Sequence, residues 1–163
     1  MLNVWRLVPH HSDRDAAIIW TAKHNKIAIG WGQVGDLKDM QPESAEDITA
    51  AIRAAYPKIP NSKHGGDSLW RLYHEMKEDD LVIIRAGTGH DVVAEVVSDY
   101  FWTPDEGGQR AGYQHMRAIE ITEYDPAKVE ARGKLKGNAT PRQNTYDSLV
   151  LIGTIETPAG LSR

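Results

Sequence analysis

Two short apolar runs constrain the fold of this chain more than any other feature of its sequence. Residues 81–85 and 91–97 are rich in valine and isoleucine, and the segment between them contains two glycines that can supply the positive φ of a tight connection. The pattern predicts a β-hairpin. Because both runs are almost continuously apolar, we expect the two strands to be buried on one or both faces, at the centre of the core.

Three further segments have the composition of strands, namely residues 3–8, 26–32 and 115–121. In the second of these, alternation is expected to turn Ile27 and Ile29 inward, with Trp31 next in the same series. Residues 146–155 are apolar enough for either a helix or a strand, and the sequence leaves that choice open.

Helix signals occur in three places, each opened by a capping residue. They are Ser12 before residues 13–17, Ser44 before a stretch that ends at Pro57, and Asp67 or Ser68 before a stretch that ends at residues 78–80. The second signal is the clearest, because Asp47 lies three residues after the cap and apolar residues follow at helical spacing. Together with the strands, the helices predict a small α+β barrel that residues 1–163 form as a single domain.

Composition narrows the class of protein. The net charge is -4, whereas a non-specific nucleic-acid binder is strongly basic, so any contact with nucleic acid must be local. Without cysteine the chain has neither disulfides nor a zinc–thiolate site. Its longest apolar run, residues 16–20, is far shorter than the roughly 20 residues that span a bilayer, and no secretory pattern opens the chain. We therefore expect a cytoplasmic protein with no membrane partner.

One segment could provide that local contact. Residues 131–142 contain four basic residues, no acidic residue, two glycines and a proline, which is typical of a loop. The basic residues are Arg132, Lys134, Lys136 and Arg142. They can contact phosphates, or they can be the solvated charges of an ordinary surface loop, and spacing alone does not separate these alternatives.

Signatures of catalysis are mostly absent from the sequence. It contains no P-loop, no dinucleotide-binding glycine pattern, no HExxH and no GxSxG. A metal-dependent hydrolase or nuclease could use His10, His11, Asp13 and Asp15, but adjacent histidines on a loop rarely face one point, so solvated polar residues explain them better. We expect a protein that is not an enzyme and that needs no cofactor or metal.

The aromatic residues are more informative. Five tryptophans stand against a single phenylalanine, and tryptophan combines a broad flat face with one N–H donor. Trp31 lies between Gly30 and Gly32 at a strand end, which leaves its backbone open to close approach. Trp102 ends the cluster that begins at Tyr100. Packing in the core is the alternative role for both tryptophans.

The order of these segments resembles that of EVE domains in the PUA-like superfamily, in particular the EVE-like modules of modification-dependent restriction proteins. The matching segments are IAIGWG with GDL (residues 27–32 and 35–37), LWRL (69–72), DLVI (80–83), VAEVV (93–97) and HMRAI (115–119). Each segment is common by itself. Their order and spacing over most of the chain carry the resemblance.

The resemblance implies a small PUA-like β-barrel flanked by helices that binds DNA or RNA carrying a modified base. Such domains flip the base into an aromatic cage, and 5-methylcytosine, 5-hydroxymethylcytosine or N6-methyladenine is the expected ligand. By position, Trp31 and Trp102 resemble the cage residues, and Tyr100 is an additional wall. Edge contacts are expected from Gly30, Gly32, Asp36 and Arg85, and phosphate contacts from the basic loop and Arg117.

The chain departs from the family pattern at one important point. Many EVE domains carry a Tyr-His-Ser-like segment where this chain has IRAG (residues 84–87), so the polar floor of the pocket cannot be carried over. The resemblance also implies an associated nuclease or motor domain. Two alternatives use the same pocket: a PUA-like domain that binds a free nucleoside or small metabolite, and an RNA-processing factor.

Overall fold

The computed structural model describes residues 1–9, 14–60, 62–85, 90–104, 112–133 and 147–163, without the side chains of residues 14 and 15. Within these residues the chain forms seven strands, joined in one sheet that curls into a half-barrel, and five α-helices. The architecture is mixed α+β, as the sequence predicts, and it is consistent with a small barrel flanked by helices.

The strands are β1 (Leu2–Leu7), β2 (Lys26–Ile29), β3 (Leu81–Ile84), β4 (Val92–Val96), β5 (Phe101–Trp102), β6 (His115–Ile121) and β7 (Leu149–Ile155). Their order in the sheet is β2-β6-β4-β3-β1-β7, and β5 pairs with β6. The pair β1–β3 is parallel, and the other described pairs are antiparallel. Strands β2 and β3 therefore run in opposite directions, so the carboxyl end of β2 lies at one end of the sheet's strands and that of β3 at the other.

The predicted hairpin is confirmed as β3 and β4, in which Leu81 pairs with Glu95 and Ile84 pairs with Val92. All four side chains of β3 are buried. Val82 and Ile84 belong to the larger hydrophobic cluster, whereas the other two belong to a second cluster. The continuous apolar run of β3 follows from this arrangement, because alternate side chains enter two different cores.

The helices are α1 (Arg14–His24), α2 (Leu37–Met40), α3 (Ala45–Ala55), α4 (Ser62–Trp70) and α5 (Pro126–Gly133). A 3-10 turn covers Gly32–Val34, and a π turn, Arg71–Glu75, continues α4. The predicted cap of α3 is confirmed, since Ser44 Oγ accepts from the backbone N–H of Asp47 at 3.4 Å. Among the described helices, none has the length and apolar character needed to cross a bilayer.

Four predicted boundaries were wrong. Helix α1 continues to His24 rather than ending at residue 17, and β2 ends at Ile29 rather than at residue 32. Helix α4 begins at Ser62, before the predicted caps at residues 67 and 68. Helix α5 occupies residues 131–133 of the predicted basic loop. The undecided segment at residues 146–155 contains strand β7, whose hydrogen bonds to β1 decide its conformation.

Tertiary packing explains the early start of α4. Glycine is a poor helix former, and α4 contains the pair Gly65 and Gly66. A Cβ atom at Gly66 would lie 1.9 Å from Thr49 Oγ1 of α3, and one at Gly65 would lie 2.4 Å from Trp31 Nε1. The glycines allow α4 to approach α3 and Trp31 closely, and this packing outweighs their low helix propensity.

The two clusters lie on opposite faces of the curled sheet. The larger cluster fills the space between the sheet and helices α3 and α4, to which Ile48, Ile52 and Leu69 contribute. The smaller cluster lies beneath α5, where Val129 packs with Leu161 near the end of the chain. The sheet is therefore covered by helices on both faces.

Candidate functional site

Trp31 has an unusual backbone conformation. Its φ of 69° and ψ of 32° are left-handed, a region that bulky L-residues rarely occupy. The extended chain of β2 stops at Ile29, and the 3-10 turn follows directly after Trp31. Strand β2 therefore does not extend to Trp31, because the left-handed residue turns the chain out of the sheet. The indole nevertheless packs against the same core as Ile27 and Ile29.

Strand register brings the two predicted cage tryptophans to one place. His115, the first residue of β6, lies opposite Ile29 of β2 on one side and opposite Trp102 of β5 on the other. Trp102 Nε1 donates to the carbonyl oxygen of Gly32 at 3.2 Å, so its indole is fixed to the residue that follows Trp31. Both indoles are partly buried and pack against the larger core.

Several backbone groups of this turn form hydrogen bonds. The carbonyl of Trp31 accepts from Val34 N at 3.1 Å and from His115 Nε2 at 3.1 Å. The carbonyl of Gly32 accepts from Gly35 N at 3.0 Å as well as from Trp102, and Gly32 N donates to Gly112 O at 2.8 Å. The strained conformation of Trp31 is therefore held from several sides.

Two tyrosines that the sequence analysis did not select extend the aromatic surface. Tyr56 meets the Trp31 ring edge to face, with 5.4 Å between ring centroids. The ring of Tyr113 lies over Gly30, where a Cβ atom would be 3.6 Å from it. We call the set Gly30, Trp31, Gly32, Tyr56, Trp102 and Tyr113 the tryptophan site. Neither tyrosine had a recognisable signal, because each approaches through tertiary contacts.

Asp36 lies in the same loop as the tryptophan site. It is the N-cap of α2, and its Oδ1 accepts from the backbone N–H of Lys38 at 2.9 Å. The carboxylate is partly buried. The lysine side chain forms an exposed ion pair with Asp99 at 3.2 Å. Asp36 therefore lies close enough to influence the buried imidazole of His115, and its contact with a base edge stays a prediction.

Tyr100 is not a wall of the site. It is fully buried in the larger core, where its Oη accepts from Leu37 N at 3.2 Å and bonds His115 Nδ1 at 2.7 Å. The predicted cage role of Tyr100 is wrong, because a side chain without exposed surface cannot contact a ligand. It supports the site from behind.

His115 is the residue that sequence reasoning missed. It is fully buried between Tyr100 and the carbonyl of Trp31. Burial lowers the pKa of His115 to about 4, so the imidazole is neutral at pH 7, and burial raises the pKa of the Tyr100 hydroxyl. A polar residue at the start of a predicted strand was the only available signal.

Arg85 does not reach the tryptophan site. It follows the carboxyl end of β3. Because β2 and β3 run in opposite directions, this is the end of the strands opposite to the one where β2 finishes. Its guanidinium bonds Asp91 at 2.6 Å and Glu130 of α5 at 2.8 Å. The prediction that Arg85 contacts the base edge is therefore wrong. The prediction rested on the order of segments along the chain, whereas the direction of β3 in the sheet decides on which side Arg85 lies.

Arg117 is likewise unavailable to phosphates. Its side chain is 2% exposed. The guanidinium donates to backbone carbonyls at the end of the π turn, among them Leu72 O at 2.8 Å and Met76 O at 2.6 Å, and to Ser98 O at 3.1 Å. The carbonyls of Leu72 and Met76 lie where the helical chain ends and lack donors from a following turn, so the buried cation satisfies them. The predicted phosphate contact is wrong.

Of the four basic residues of the predicted loop, Arg132 lies within the described residues. It is exposed on the last turn of α5. Helix α5 packs against β7 and β1, which are at the other end of the strand order from β2. Its guanidinium donates to Ala159 O. Lys134, Lys136 and Arg142 lie outside the described residues, so their predicted phosphate contacts stay predictions.

The metal hypothesis also falls mainly on residues that are not described. His10, His11 and Asp13 lie outside the described residues, as does the side chain of Asp15. Within the part of the chain that the structure describes, no group of three histidine, aspartate or glutamate side chains could hold a metal ion.

Two buried carboxylates have structural roles. Asp80 accepts from Trp5 Nε1 at 2.9 Å and from Asn3 N at 3.0 Å, which ties β1 to the start of β3. Asp147 bonds His64 Nδ1 at 2.6 Å and Arg71 at 2.9 Å, which ties α4 and the π turn to the start of β7.

The fold and site together define a mixed α+β half-barrel with an aromatic site where β2, β5 and β6 meet. The family model described as Domain of unknown function (DUF8426) matches residues 5–145, and the chain belongs to this family. The match includes every residue of the tryptophan site. No curated protein matches the chain.

Proposed function

We propose that this protein is a PUA-like nucleic-acid-binding module that recognises a modified base, flipped out of its strand and held at the tryptophan site. The expected bases are 5-methylcytosine, 5-hydroxymethylcytosine and N6-methyladenine. The observation that carries the proposal is the bond from Trp102 Nε1 to Gly32 O. It fixes the partly exposed indole of Trp102 to the residue that follows Trp31, and two aromatic side chains on adjacent backbone support the binding of a flat ligand.

The energies of flipping and stacking are of comparable size. Extracting a base from a stack costs a few kcal/mol, and this cost is lowest for a base that is already single-stranded. Stacking on an aromatic side chain contributes about 1 to 3 kcal/mol per base. Trp31 and Trp102 together can therefore offset most of the cost, and phosphate contacts supply the rest.

Recognition of the base edge falls to Asp36. Both hydrogen-bonding groups of the Gly32 backbone already have protein partners, and so has the carbonyl of Trp31. Asp36 uses Oδ1 for its cap, and a carboxylate has capacity for further donors. An exocyclic amine, such as that of cytosine or adenine, is a suitable donor.

Selectivity for a methyl group is expected to be modest. Burying one methyl contributes about 0.8 kcal/mol, which corresponds to roughly a fourfold preference. Larger discrimination requires that the unmodified base leaves a void or retains water in the site.

A binding screen tests the proposal. DNA and RNA oligonucleotides, single- and double-stranded, carry each of the three modified bases or the plain base. Trp31→Ala and Trp102→Ala should each abolish discrimination between modified and plain strands, because each removes one stacking face. Trp20→Ala is the matched control, since Trp20 lies on α1 in ring contact with His24. Unchanged discrimination in both site variants would reject the proposal.

The basic loop is tested separately. Lys134→Ala should weaken binding to modified and plain strands alike and reduce the slope of log affinity against log salt by about one, because one phosphate contact is lost. A selective loss for modified strands would assign Lys134 to base recognition instead.

A second candidate is a domain that binds a free nucleoside or small metabolite in the same site. The specific observation in its favour is that Arg85 and Arg117 are engaged by the protein itself. Titration with modified nucleosides distinguishes the candidates. Tight nucleoside binding without any oligonucleotide binding at low salt would favour the second.

A further inference from the structure

A chain of three hydrogen bonds runs behind the tryptophan site. It connects Leu37 N with Tyr100 Oη at 3.2 Å, Tyr100 Oη with His115 Nδ1 at 2.7 Å, and His115 Nε2 with the carbonyl oxygen of Trp31 at 3.1 Å. Tyr100 and His115 are both fully buried. We call these bonds the buried relay.

The chemistry of its two ends fixes the direction of every bond. A carbonyl oxygen can only accept, so His115 Nε2 must carry a proton and donate to Trp31. A neutral imidazole has one N–H, so Nδ1 must accept from the Tyr100 hydroxyl. The hydroxyl oxygen in turn accepts from the backbone N–H of Leu37. Every donor and acceptor in the buried relay has a partner, and one tautomer of His115 satisfies them all.

The buried relay ends on the residue whose backbone is strained. The left-handed conformation of Trp31 is unfavourable for a bulky residue and persists only when its surroundings hold it. The Val34 N–H bonds the same carbonyl, but this bond belongs to the turn itself. His115 acts from a different element, β6, and therefore ties the turn to the sheet.

We propose that His115 is a positioning residue for the tryptophan site, whose Nε2–H holds the carbonyl of Trp31 and so fixes the direction of its indole. The other end of the buried relay is Leu37, the residue after Asp36. His115 and Tyr100 therefore also set the separation between the stacking face of Trp31 and the carboxylate of Asp36. This second part rests on the proposed function, whereas the first does not.

Two amide variants test the roles of the two ring nitrogens of His115 one at a time. In His115→Gln the side-chain amide reaches the position of Nε2 and can still donate to Trp31. In His115→Asn the amide reaches only the position of Nδ1, so it can accept from Tyr100 but cannot reach Trp31. Both variants bury an amide of similar polarity, but asparagine is one methylene smaller and leaves a cavity that lowers stability. The position of the Trp31 resonance, rather than stability, therefore separates a positioning role from a purely structural one.

The readout is the environment of Trp31 in ligand-free protein, measured by fluorine NMR of protein labelled with 5-fluorotryptophan. Trp31→Phe assigns the resonance. We expect the Trp31 resonance to keep its position in His115→Gln and to shift or broaden in His115→Asn. Affinity for the best oligonucleotide of the screen should fall about tenfold in His115→Asn relative to His115→Gln. Equal behaviour of the two variants would overturn the proposal.

The wild-type protein provides a test that does not depend on the folding of any variant. Long-range proton–nitrogen spectra distinguish the protonated from the unprotonated ring nitrogen of His115. The expected result is a proton on Nε2, and a proton on Nδ1 would overturn the proposal. Both NMR measurements use ligand-free protein, so failure of every oligonucleotide to bind would reject the proposed function without deciding the role of His115.

Discussion

At the scale of single residues, the tryptophan site depends on groups that no ligand would touch. His115 and Tyr100 are buried, and their hydrogen bonds engage the backbone of Trp31 and Leu37. Gly32 is equally important, because its carbonyl accepts from Trp102. The exposed aromatic faces are therefore placed by polar groups beneath them, and substitutions of these groups should change stability and ligand binding together.

The first prediction concerns pH. Because burial lowers the pKa of His115 from 6.5 to about 4, the unfolded state binds more protons between these values. The contribution of neutral His115 is fully present above pH 6.5 and is lost as the pH falls toward 4. We expect a loss of about 3 kcal/mol in the free energy of unfolding over this interval.

Urea denaturation at a series of pH values measures this loss. Asp36 and the Tyr100 hydroxyl are the titratable groups that influence or contact the ring, and neither is altered in His115→Gln, which is the control. In this variant the free energy of unfolding should fall less between pH 6.5 and pH 4, because the contribution of His115 titration is absent. An unchanged slope would show that His115 does not titrate there.

The second prediction concerns Gly32. A Cβ atom at this position would lie 2.7 Å from the carbonyl oxygen of Gly112, so the backbone must move in Gly32→Ala. We expect a destabilisation of about 1 to 3 kcal/mol. Gly30→Ala is the matched control, because its Cβ atom would make ordinary contact with Tyr113 at 3.6 Å. Similar midpoints of chemical denaturation for both variants would contradict the prediction.

At the scale of elements, helix α4 connects the tryptophan site to the rest of the fold. Its two adjacent glycines face different neighbours: Gly65 faces the Trp31 indole, and Gly66 faces Thr49 of α3. The π turn that continues α4 is closed by the buried guanidinium of Arg117. The position of α4 is therefore fixed on several sides, which limits the movement of the indole that packs on it.

The third prediction uses the two glycines of α4 as a matched pair. Gly65→Ala places a Cβ atom 2.6 Å from Cε2 of Trp31, so the indole must shift, and both stacking and ligand affinity should fall about tenfold. Gly66→Ala should reduce stability through its contact with Thr49, with little effect on Trp31. Fluorine NMR of Trp31 and oligonucleotide titration are the measurements. A larger shift of Trp31 in Gly66→Ala would refute this assignment.

At the scale of the whole molecule, the last described strand pairs with the first. Strand β7 pairs with β1, and Leu149 and Ile155 enter different hydrophobic clusters. The family match ends at residue 145, before this strand begins. The first and last strands of the described chain therefore hold each other in the sheet.

The fourth prediction follows from this pairing. A chain that ends at residue 146 should fail to fold, because β1 loses one of its two hydrogen-bonding neighbours and both clusters lose buried side chains. Circular dichroism and limited proteolysis measure the loss. Leu151→Thr is the control on the same strand, since its side chain is 41% exposed and the fold should tolerate the change. A folded truncated protein would disprove the prediction.

The sequence by itself determined the central hairpin, strand β6 and the capped helix α3. Each carries a local pattern: β3 and β4 through their apolar runs, β6 through alternation, and α3 through Ser44 and its apolar spacing. Local physical chemistry is sufficient for these elements, because backbone propensity, capping and burial agree within one segment.

Only the tertiary structure decided which predicted residues meet. The opposite directions of β2 and β3 separate Arg85 from Trp31. Arg117 is buried because its guanidinium donates to backbone carbonyls where the π turn ends. Strand register places Trp102 beside His115, and the left-handed backbone of Trp31 is maintained by bonds from other elements. These contacts join residues far apart in the chain, so no local pattern encodes them. The two tryptophans were visible in the sequence, whereas the buried relay that positions one of them became visible only in the folded chain.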